Sequence, residues 1–104
     1  MNAQGRILGT MDEIKRANHE ANMHWFDRET MRWFRSRVGD KVYPCMSKRQ
    51  TYFVSSEQFD DNSPRLYSVR MADWETGEID TVGEFQQYPT GAQAHRAARE
   101  LARD

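Results

Sequence analysis

The residues that come closest to a metal site are two histidines, His19 and His24. They bound the stretch His19-Glu20-Ala21-Asn22-Met23-His24, which superficially resembles a zinc-protease helix. That motif places its histidines four residues apart on one helix face. Five residues at about 100° each turn the two rings roughly 140° apart. We therefore predict no metal site here and interpret both histidines as surface or boundary residues.

Other patterns that carry catalysis are missing from the sequence. Cys45 is the single cysteine, and no neighbouring residue marks it as an activated thiolate. Asp60-Asp61-Asn62 lacks the alternating ligands, central glycine and distal glutamate of an EF-hand calcium loop. The chain has no glycine-rich phosphate loop, nucleophile elbow or dinucleotide fingerprint. We predict a protein that is not an enzyme and that uses no cofactor.

Three acidic residues, Glu78, Asp80 and Glu84, occupy even positions of one predicted strand, where alternate side chains share a face. Two carboxylates on such a face have the chemistry of a general acid and base. A solvated acidic face is the more common outcome. We interpret these residues as a secondary acidic surface without a catalytic role.

The most informative segment is residues 25–37, in which arginines alternate with aromatic residues. On a helix, Arg28, Arg32 and Arg35 align at positions i, i+4 and i+7. Trp33 points more than about 100° away from the apolar stripe of that helix. An exposed tryptophan among arginines is typical of an interface hot spot and also of a surface that stacks on nucleobases. The alternative is that the chain itself covers Trp33.

Charge is segregated along the chain. Residues 28–56 carry seven basic and two acidic groups, whereas residues 57–88 carry two basic and eight acidic groups. Segments of opposite sign either present two charged faces to a partner or fold against each other. We predict that the partner-binding residues belong to the basic segment: Arg28, Arg32, Trp33, Arg35, Arg37, Lys48 and Arg49.

Composition bounds the class of protein. A chain of 104 residues suffices for one domain, and 12% aromatic residues argue against a disordered chain. No apolar run approaches the ~20 residues of a membrane span. Residues 1–8 lack the apolar region of a secretory signal. We expect a cytoplasmic protein that does not contact a membrane.

Two predicted helices precede the strands. Thr10-Met11-Asp12-Glu13 matches a capping box, in which a hydroxyl and a glutamate satisfy the first backbone N–H groups of a helix. This predicts a helix over residues 11–22. Asp27 can cap a second helix that continues through Arg37. Residues 1–9 contain two glycines and no periodic pattern, which predicts a flexible tail.

The hydrophobic period then changes to that of strands. Three segments rich in β-forming residues are separated by turn residues: Gln50–Phe59, Arg65–Trp74 and Gly77–Tyr88. Such short connections predict an antiparallel meander. An additional short strand leads into Pro44, which belongs at a sheet edge because it cannot donate to a ladder. A bulge at Gly83 would return Phe85 to the core.

We expect only one face of this sheet to be buried. Within the second of the three segments, two classes of side chain alternate: Tyr67, Val69 and Met71 with Ser68 and Arg70. This alternation is typical of a strand that turns one face to the core and the other to water.

A last helix follows the strands. Thr90-Gly91-Ala92-Gln93 matches a second capping box, and the alanines that follow would let a helix lie close to the sheet. We therefore predict an α+β fold in the order α-α-β-β-β-α, as a single domain over residues 10–104. It has two N-terminal helices, a three- to four-stranded antiparallel meander and a C-terminal helix packed on one face.

The sequence resembles a known family over residues 10–103. The stretches that carry the resemblance are Glu13-Ile14-Lys15, Thr30-Met31-Arg32-Trp33-Phe34, Tyr52-Phe53-Val54-Ser55-Ser56-Glu57-Gln58-Phe59, Tyr67-Ser68-Val69-Arg70 and Ile79-Asp80-Thr81-Val82-Gly83-Glu84-Phe85-Gln86. The family consists of small uncharacterised proteins carried by bacteriophages and other bacterial mobile elements. The resemblance implies an accessory protein that acts by binding, for example by inhibiting host defence machinery such as CRISPR effectors. It implies no catalytic residues.

The order helix, three strands, helix is also similar to that of double-stranded RNA-binding domains. In that family the last helix begins with a lysine-rich motif that clamps phosphates. The corresponding stretch here, Gly91-Ala92-Gln93-Ala94-His95-Arg96, contains no lysine. Arg96, Arg99 and Arg103 would replace that motif only if a groove lies along their face.

Two functions of different classes follow from these observations. The first is a non-enzymatic protein-binding module of a phage or mobile element, whose partner is a host or phage protein. The second is RNA or DNA binding through an arginine-rich helix. Nucleic-acid binding would weaken steeply with salt, because phosphate contacts release counterions.

Overall fold

In the computed structural model, which describes residues 7–32 and 35–103, seven elements follow one another along the chain. The helices are α1 (Met11–Glu20), α2 (Arg28–Arg32) and α3 (Gly91–Leu101). The strands are β1 (Arg37–Cys45), β2 (Gln50–Glu57), β3 (Leu66–Asp73) and β4 (Ile79–Val82). The predicted α+β class, the antiparallel sheet and the C-terminal helix are confirmed, and the helix count and order agree broadly with the prediction.

Both predicted capping boxes start a helix. The Thr10 hydroxyl accepts a hydrogen bond from the Glu13 N–H at 3.2 Å, and the Glu13 carboxylate accepts one from the Gly9 N–H at 3.1 Å. At α3, the Thr90 hydroxyl accepts from the Gln93 N–H at 3.2 Å. These bonds satisfy N–H groups that the first turn of a helix leaves without intrahelical partners.

The second helix is much shorter than predicted. α2 ends at Arg32, Arg35 has a positive φ of 48°, and the chain is already extended at Arg37, where β1 begins. Trp33 and Phe34 lie outside the described residues. The stripe that suggested a longer helix included Val38, which pairs with Ser55 in the sheet instead.

The sheet is a four-stranded meander in the order β1-β2-β3-β4, with every neighbouring pair antiparallel. Pro44 lies in β1, an edge strand, as predicted. β4 covers only four residues of the predicted segment Gly77–Tyr88, because Gly83 adopts a left-handed φ of 77° and the strand ends before it. The predicted bulge at Gly83 is therefore wrong, and Phe85 is 45% exposed instead of lying in the core.

Both faces of the sheet are covered, so the prediction of a single buried face is wrong. On one face, Phe53 and Ala72 pack with residues of α1 such as Ile14. On the other face, Val54 and Val69 pack with Ala94 and Ala98 of α3. The sheet therefore separates α1 from α3.

The N-terminal segment contributes to the core. Leu8, which the prediction assigned to the tail, is 2% exposed and packs in the α1 cluster. Its carbonyl accepts a hydrogen bond from the Thr51 hydroxyl, which in turn accepts one from the Trp74 indole N–H at 2.7 Å. Residues 1–6 of the predicted tail lie outside the described residues. Within the described ranges, no helix is long and apolar enough to span a bilayer.

Candidate functional site

The predicted partner-binding residues divide between the two ends of β1. Arg28 and Arg32 lie on α2, and Arg37 opens β1. Lys48 and Arg49 lie in the turn after β1, about 25 Å along the strand from Arg37. The seven residues therefore do not form one continuous surface, and Trp33 lies outside the described residues.

Contacts within the protein distinguish these residues further. Arg35 forms an ion pair with Asp61, Arg49 lies 3.5 Å from the Glu75 carboxylate, and Lys48 donates to the Leu101 carbonyl at 2.9 Å. Three exposed residues form no ion pair within the described part of the chain: Arg28, Arg32 and Arg37. These three remain available to an acidic partner.

Two cavities adjoin α2 and share Met31 and Ser36 in their walls. The larger, about 360 Å³, is also lined by Lys15 and Phe26. The smaller, about 220 Å³, ends on a buried pair of charged residues from the sheet. α2 itself contains no buried residue, so it lies on the surface above these cavities.

The buried pair is Arg70 of β3 and Glu57 of β2, which are 8% and 1% exposed. Their charged groups lie 3.2 Å apart. The Arg70 guanidinium also donates to Ser55 at 2.8 Å and to Thr81, and Ser68 donates to the Glu57 carboxylate at 3.1 Å. Each group therefore has polar partners, as a buried charge requires.

Two aromatic rings flank the same guanidinium. Arg70 Cζ lies 5.2 Å from the centre of a Trp25 ring and 5.3 Å from the centre of the Phe85 ring. This arrangement fits a structural cation more than a catalytic one, since the guanidinium is neutralised, hydrogen-bonded and stacked at once. The prediction that Ser68 and Arg70 face water is therefore wrong, because both side chains belong to this buried polar network. The small hydroxyl residues on adjacent strands were the sequence signal that could have indicated such a network.

The predicted acidic surface is not a single strand face. Only Asp80 lies in β4, whereas Glu78 precedes it and Glu84 follows Gly83 beyond the strand end. All three residues are exposed. The alternation that placed them on one face therefore does not extend from Glu78 to Glu84.

Two histidines and the cysteine carry the groups that metal or thiol chemistry would use. The rings of His19 and His24 are 6.4 Å apart in an edge-on arrangement. Cys45 is buried, with its Sγ 3.5 Å from the Ser47 hydroxyl. Over residues 7–32 and 35–103, no three His, Cys, Asp or Glu side chains form a group that could hold a metal ion.

Sequence reasoning did not single out a groove between β1 and α3. The Tyr43 hydroxyl lies 2.9 Å from Nδ1 of His95. Burial, followed by the positive charges of Lys41 and Arg99, lowers the pKa of His95 below its usual value. His95 also lines a cavity of about 270 Å³ together with Arg37. Basic side chains from a strand and a helix 50 residues away therefore come together only in the folded chain.

Comparison with known proteins assigns the chain to a family but not to an activity. No curated protein and no solved structure matched the chain. The model of a family of unknown function, DUF7447, matches residues 10–99, which include every described helix and strand but the last two residues of α3. The chain therefore belongs to the DUF7447 family of unknown function.

Proposed function

We propose that this chain is a non-enzymatic protein-binding module that docks on an acidic surface of a partner protein. The docking surface consists of α2 and the two cavities beneath it, and we call it the α2 surface. The observation that carries the proposal is the exposure of Arg28 and Arg32 on a helix that buries none of its residues, with no ion pair to a carboxylate of residues 7–32 or 35–103.

The surroundings of α2 support a protein partner. Trp25, Phe26 and Met31 are half-buried and line the two cavities, so apolar side chains lie beside exposed arginines. Interfaces combine such aromatic and arginine residues at their energetic centres. The exposed cations favour an acidic partner, because complementary charge speeds association and disfavours partners of like charge.

The setting that we propose is a bacteriophage or mobile element, with the module acting in the cytoplasm of its bacterial host. Support comes from the resemblance over residues 10–103. Partners of this kind include host defence complexes such as CRISPR effectors. A protein with this role needs an accessible binding surface and no catalytic groups.

RNA or DNA binding through the arginine-rich helix, Lys48 and Arg49 is supported less well. Lys48 and Arg49 lie at the far end of β1 from α2, and both have partners in the protein. A phosphate backbone would have to contact both ends of the sheet to use all of these residues.

The test begins with capture of partners from a bacterial host lysate, followed by purification of each captured protein. Affinity and association rate are then measured for the natural chain and for Arg28→Glu/Arg32→Glu. We expect the double variant to bind at least about tenfold more weakly, mainly through slower association, and the natural association rate to fall as salt increases.

Lys41→Glu/Arg99→Glu serves as the matched control, because it makes the same change in net charge away from α2. We expect this control to bind the protein partner as the natural chain does. Equal binding by the natural chain and the α2 variant, or failure to capture any partner that depends on Arg28 and Arg32, would overturn the proposal.

A further inference from the structure

The groove between β1 and α3 contains a cavity with positively charged side chains in and near its walls. About 270 Å³ in volume, it is lined by Arg37 and Ser56 from the sheet, Tyr67 from β3 and His95 from α3. The seven described residues that line it include no Asp or Glu. The described lining therefore offers hydrogen-bond donors and the Arg37 cation but no competing carboxylate.

No carboxylate among the residues that the structure describes forms an ion pair with the cations near this cavity. Arg65 donates to the Ser56 hydroxyl at 3.0 Å and to backbone and amide oxygens, but forms no ion pair with a described carboxylate. Lys41 and Arg99 are exposed and likewise lack ion pairs within the described ranges. Asp40 and Glu57 each follow a lining residue in sequence, but neither lines the cavity, and Glu57 is paired with Arg70.

The fold adds a further positive contribution at the same end of the groove. α3 begins beside Tyr67, since a Cβ placed on Gly91 would lie 3.4 Å from that ring. The N-terminal end of a helix carries the positive end of its dipole. An anion in the cavity would therefore meet side-chain cations and the start of α3 together.

Positive charge continues beyond the cavity on α3 and β1. Arg99 lies one turn after His95, and Lys41 of β1 acts on His95 together with Arg99 as a nearby positive charge. An 11-residue helix is about 16 Å long. A single small phosphate would fill the cavity and leave this row unused, whereas a chain of phosphates would follow it.

We propose that the β1–α3 groove binds the phosphodiester backbone of single-stranded nucleic acid, with Arg37, Lys41 and Arg99 contacting successive phosphates. Tyr43 and Tyr67 are half-buried in the same groove, and unpaired bases stack on such rings without sequence preference. The groove borders the α2 surface, because Arg37 and Val38 line a cavity on each side, but this proposal does not depend on the protein-binding proposal.

The test measures fluorescence anisotropy of a labelled mixed-sequence single-stranded oligonucleotide titrated with the full chain at several salt concentrations. For three or four phosphate contacts we expect log K to fall with log salt at a slope of about −2 to −3. Lys41→Glu/Arg99→Glu should bind at least about tenfold more weakly. Neither residue loses an ion pair seen among the described residues, and circular dichroism verifies that the variant is folded.

Arg28→Glu/Arg32→Glu is the matched control and should bind the oligonucleotide as the natural chain does. Two further arms use inorganic phosphate as a competitor and a duplex of the same sequence. We expect inorganic phosphate to reduce oligonucleotide binding no more than chloride does at the same ionic strength. We also expect the duplex to bind more weakly than the single strand.

Four results would overturn this proposal. Three of them are no oligonucleotide binding at low salt, equal weakening by the two double variants, and tighter binding of the duplex. The fourth is efficient competition by phosphate, which would reassign the cavity to a small anion. None of these results alters the expected effect of Arg28→Glu/Arg32→Glu on a protein partner, so the two proposals can fail separately.

Discussion

Arg70 places a positive charge in the interior of the sheet, between two aromatic rings and against the carboxylate of Glu57. Removal of one member of a buried ion pair leaves the other charge without compensation, which costs about 3–5 kcal/mol. We therefore expect Arg70→Met to lower the free energy of unfolding by about that amount. Urea denaturation at pH 7 measures the loss.

A second variant separates the charge effect from loss of packing. Arg70→Met/Glu57→Gln removes both charges, so it should be more stable than Arg70→Met alone. Arg28→Met is the matched control, since Arg28 is exposed and has no ion pair in the described chain, and should change stability by less than about 0.5 kcal/mol. Equal stability of the single and double variants would contradict a buried charge pair.

His95 provides a prediction about pH. Burial and then the charges of Lys41 and Arg99 lower the pKa of His95 in the folded chain, so the unfolded chain takes up this proton first as pH falls. Stability linked to His95 is therefore present above the unfolded pKa of about 6.5 and is lost as pH falls below it. His95→Gln should reduce the loss of thermal stability between pH 7.5 and 5.

An NMR titration of the His95 ring measures the cause directly. We expect its midpoint below about 6.5 in the natural chain and a higher midpoint in Lys41→Ala/Arg99→Ala, where the two nearby positive charges are absent. The Tyr43 hydroxyl, the remaining polar group at the ring, is unchanged in that variant. A midpoint at or above the usual value in the natural chain would show that the groove does not disfavour the charged ring.

Single residues also show why the candidate sites were predicted only in part. Composition and helix spacing indicated Arg28 and Arg32, which stay predicted partner-binding residues. Arg70 was not recognised, because an arginine that alternates with apolar residues normally faces water, and its carboxylate partner is 13 residues away on another strand. The groove at His95 joins residues about 50 positions apart, a proximity that local patterns do not encode.

At the scale of elements, the turn between β3 and β4 packs directly against α1. Gly77 has a φ of 75°, and a Cβ there would lie 2.5 Å from the Ala17 carbonyl oxygen. Buried Asn18 binds the same turn, donating to the Gly77 carbonyl at 2.9 Å and accepting from the Trp25 N–H. α1 is thus fixed to both the hairpin and the segment that leads to α2.

Gly77→Ala should therefore lower the free energy of unfolding by more than about 1 kcal/mol, through backbone strain and a clash with α1. The measurement is again urea denaturation. Gly39→Ala is the matched control, because its Cβ would meet no atom within 4 Å and its φ is not in the left-handed region. If Gly77→Ala proved as stable as Gly39→Ala, the close packing of the turn on α1 would be wrong.

Elements with local signals were predicted best. Thr10 and Thr90 start their helices as their capping boxes indicate, since both bonds involve residues three positions apart. β2 and β3 begin within a residue of their predicted starts. The end of β4 was misjudged, because the left-handed conformation of Gly83 and not the β-forming residues after it decides where pairing stops.

For the whole molecule, both sheet edges discourage strand addition. β1 is interrupted between Val38 and Val42 and contains Pro44, whereas β4 has only four residues. Interrupted, proline-containing or short edges are poor templates for another strand. Partners are therefore expected to approach over the helices and not along the sheet edge.

The natural chain has a net charge of −1, and the two double variants can be compared with it and with each other to locate the binding surfaces. Each double variant, at α2 or at the β1–α3 groove, replaces two positive groups by two negative ones. Both therefore make the same change in long-range repulsion of an anion. A difference between them must come from where the charges lie, so the location of each binding surface can be determined without a structure of a complex.

The separation of α1 and α3 by the sheet has a consequence for synthesis of the chain. Tyr52, Val54 and Val69 lie beneath α3, and the ribosome makes all four strands before it makes that helix. Until α3 emerges, this apolar surface is in contact with water and can bind a chaperone or a second nascent copy. A product that stops before residue 91 would keep it uncovered, and should accumulate in inclusion bodies where the natural chain does not.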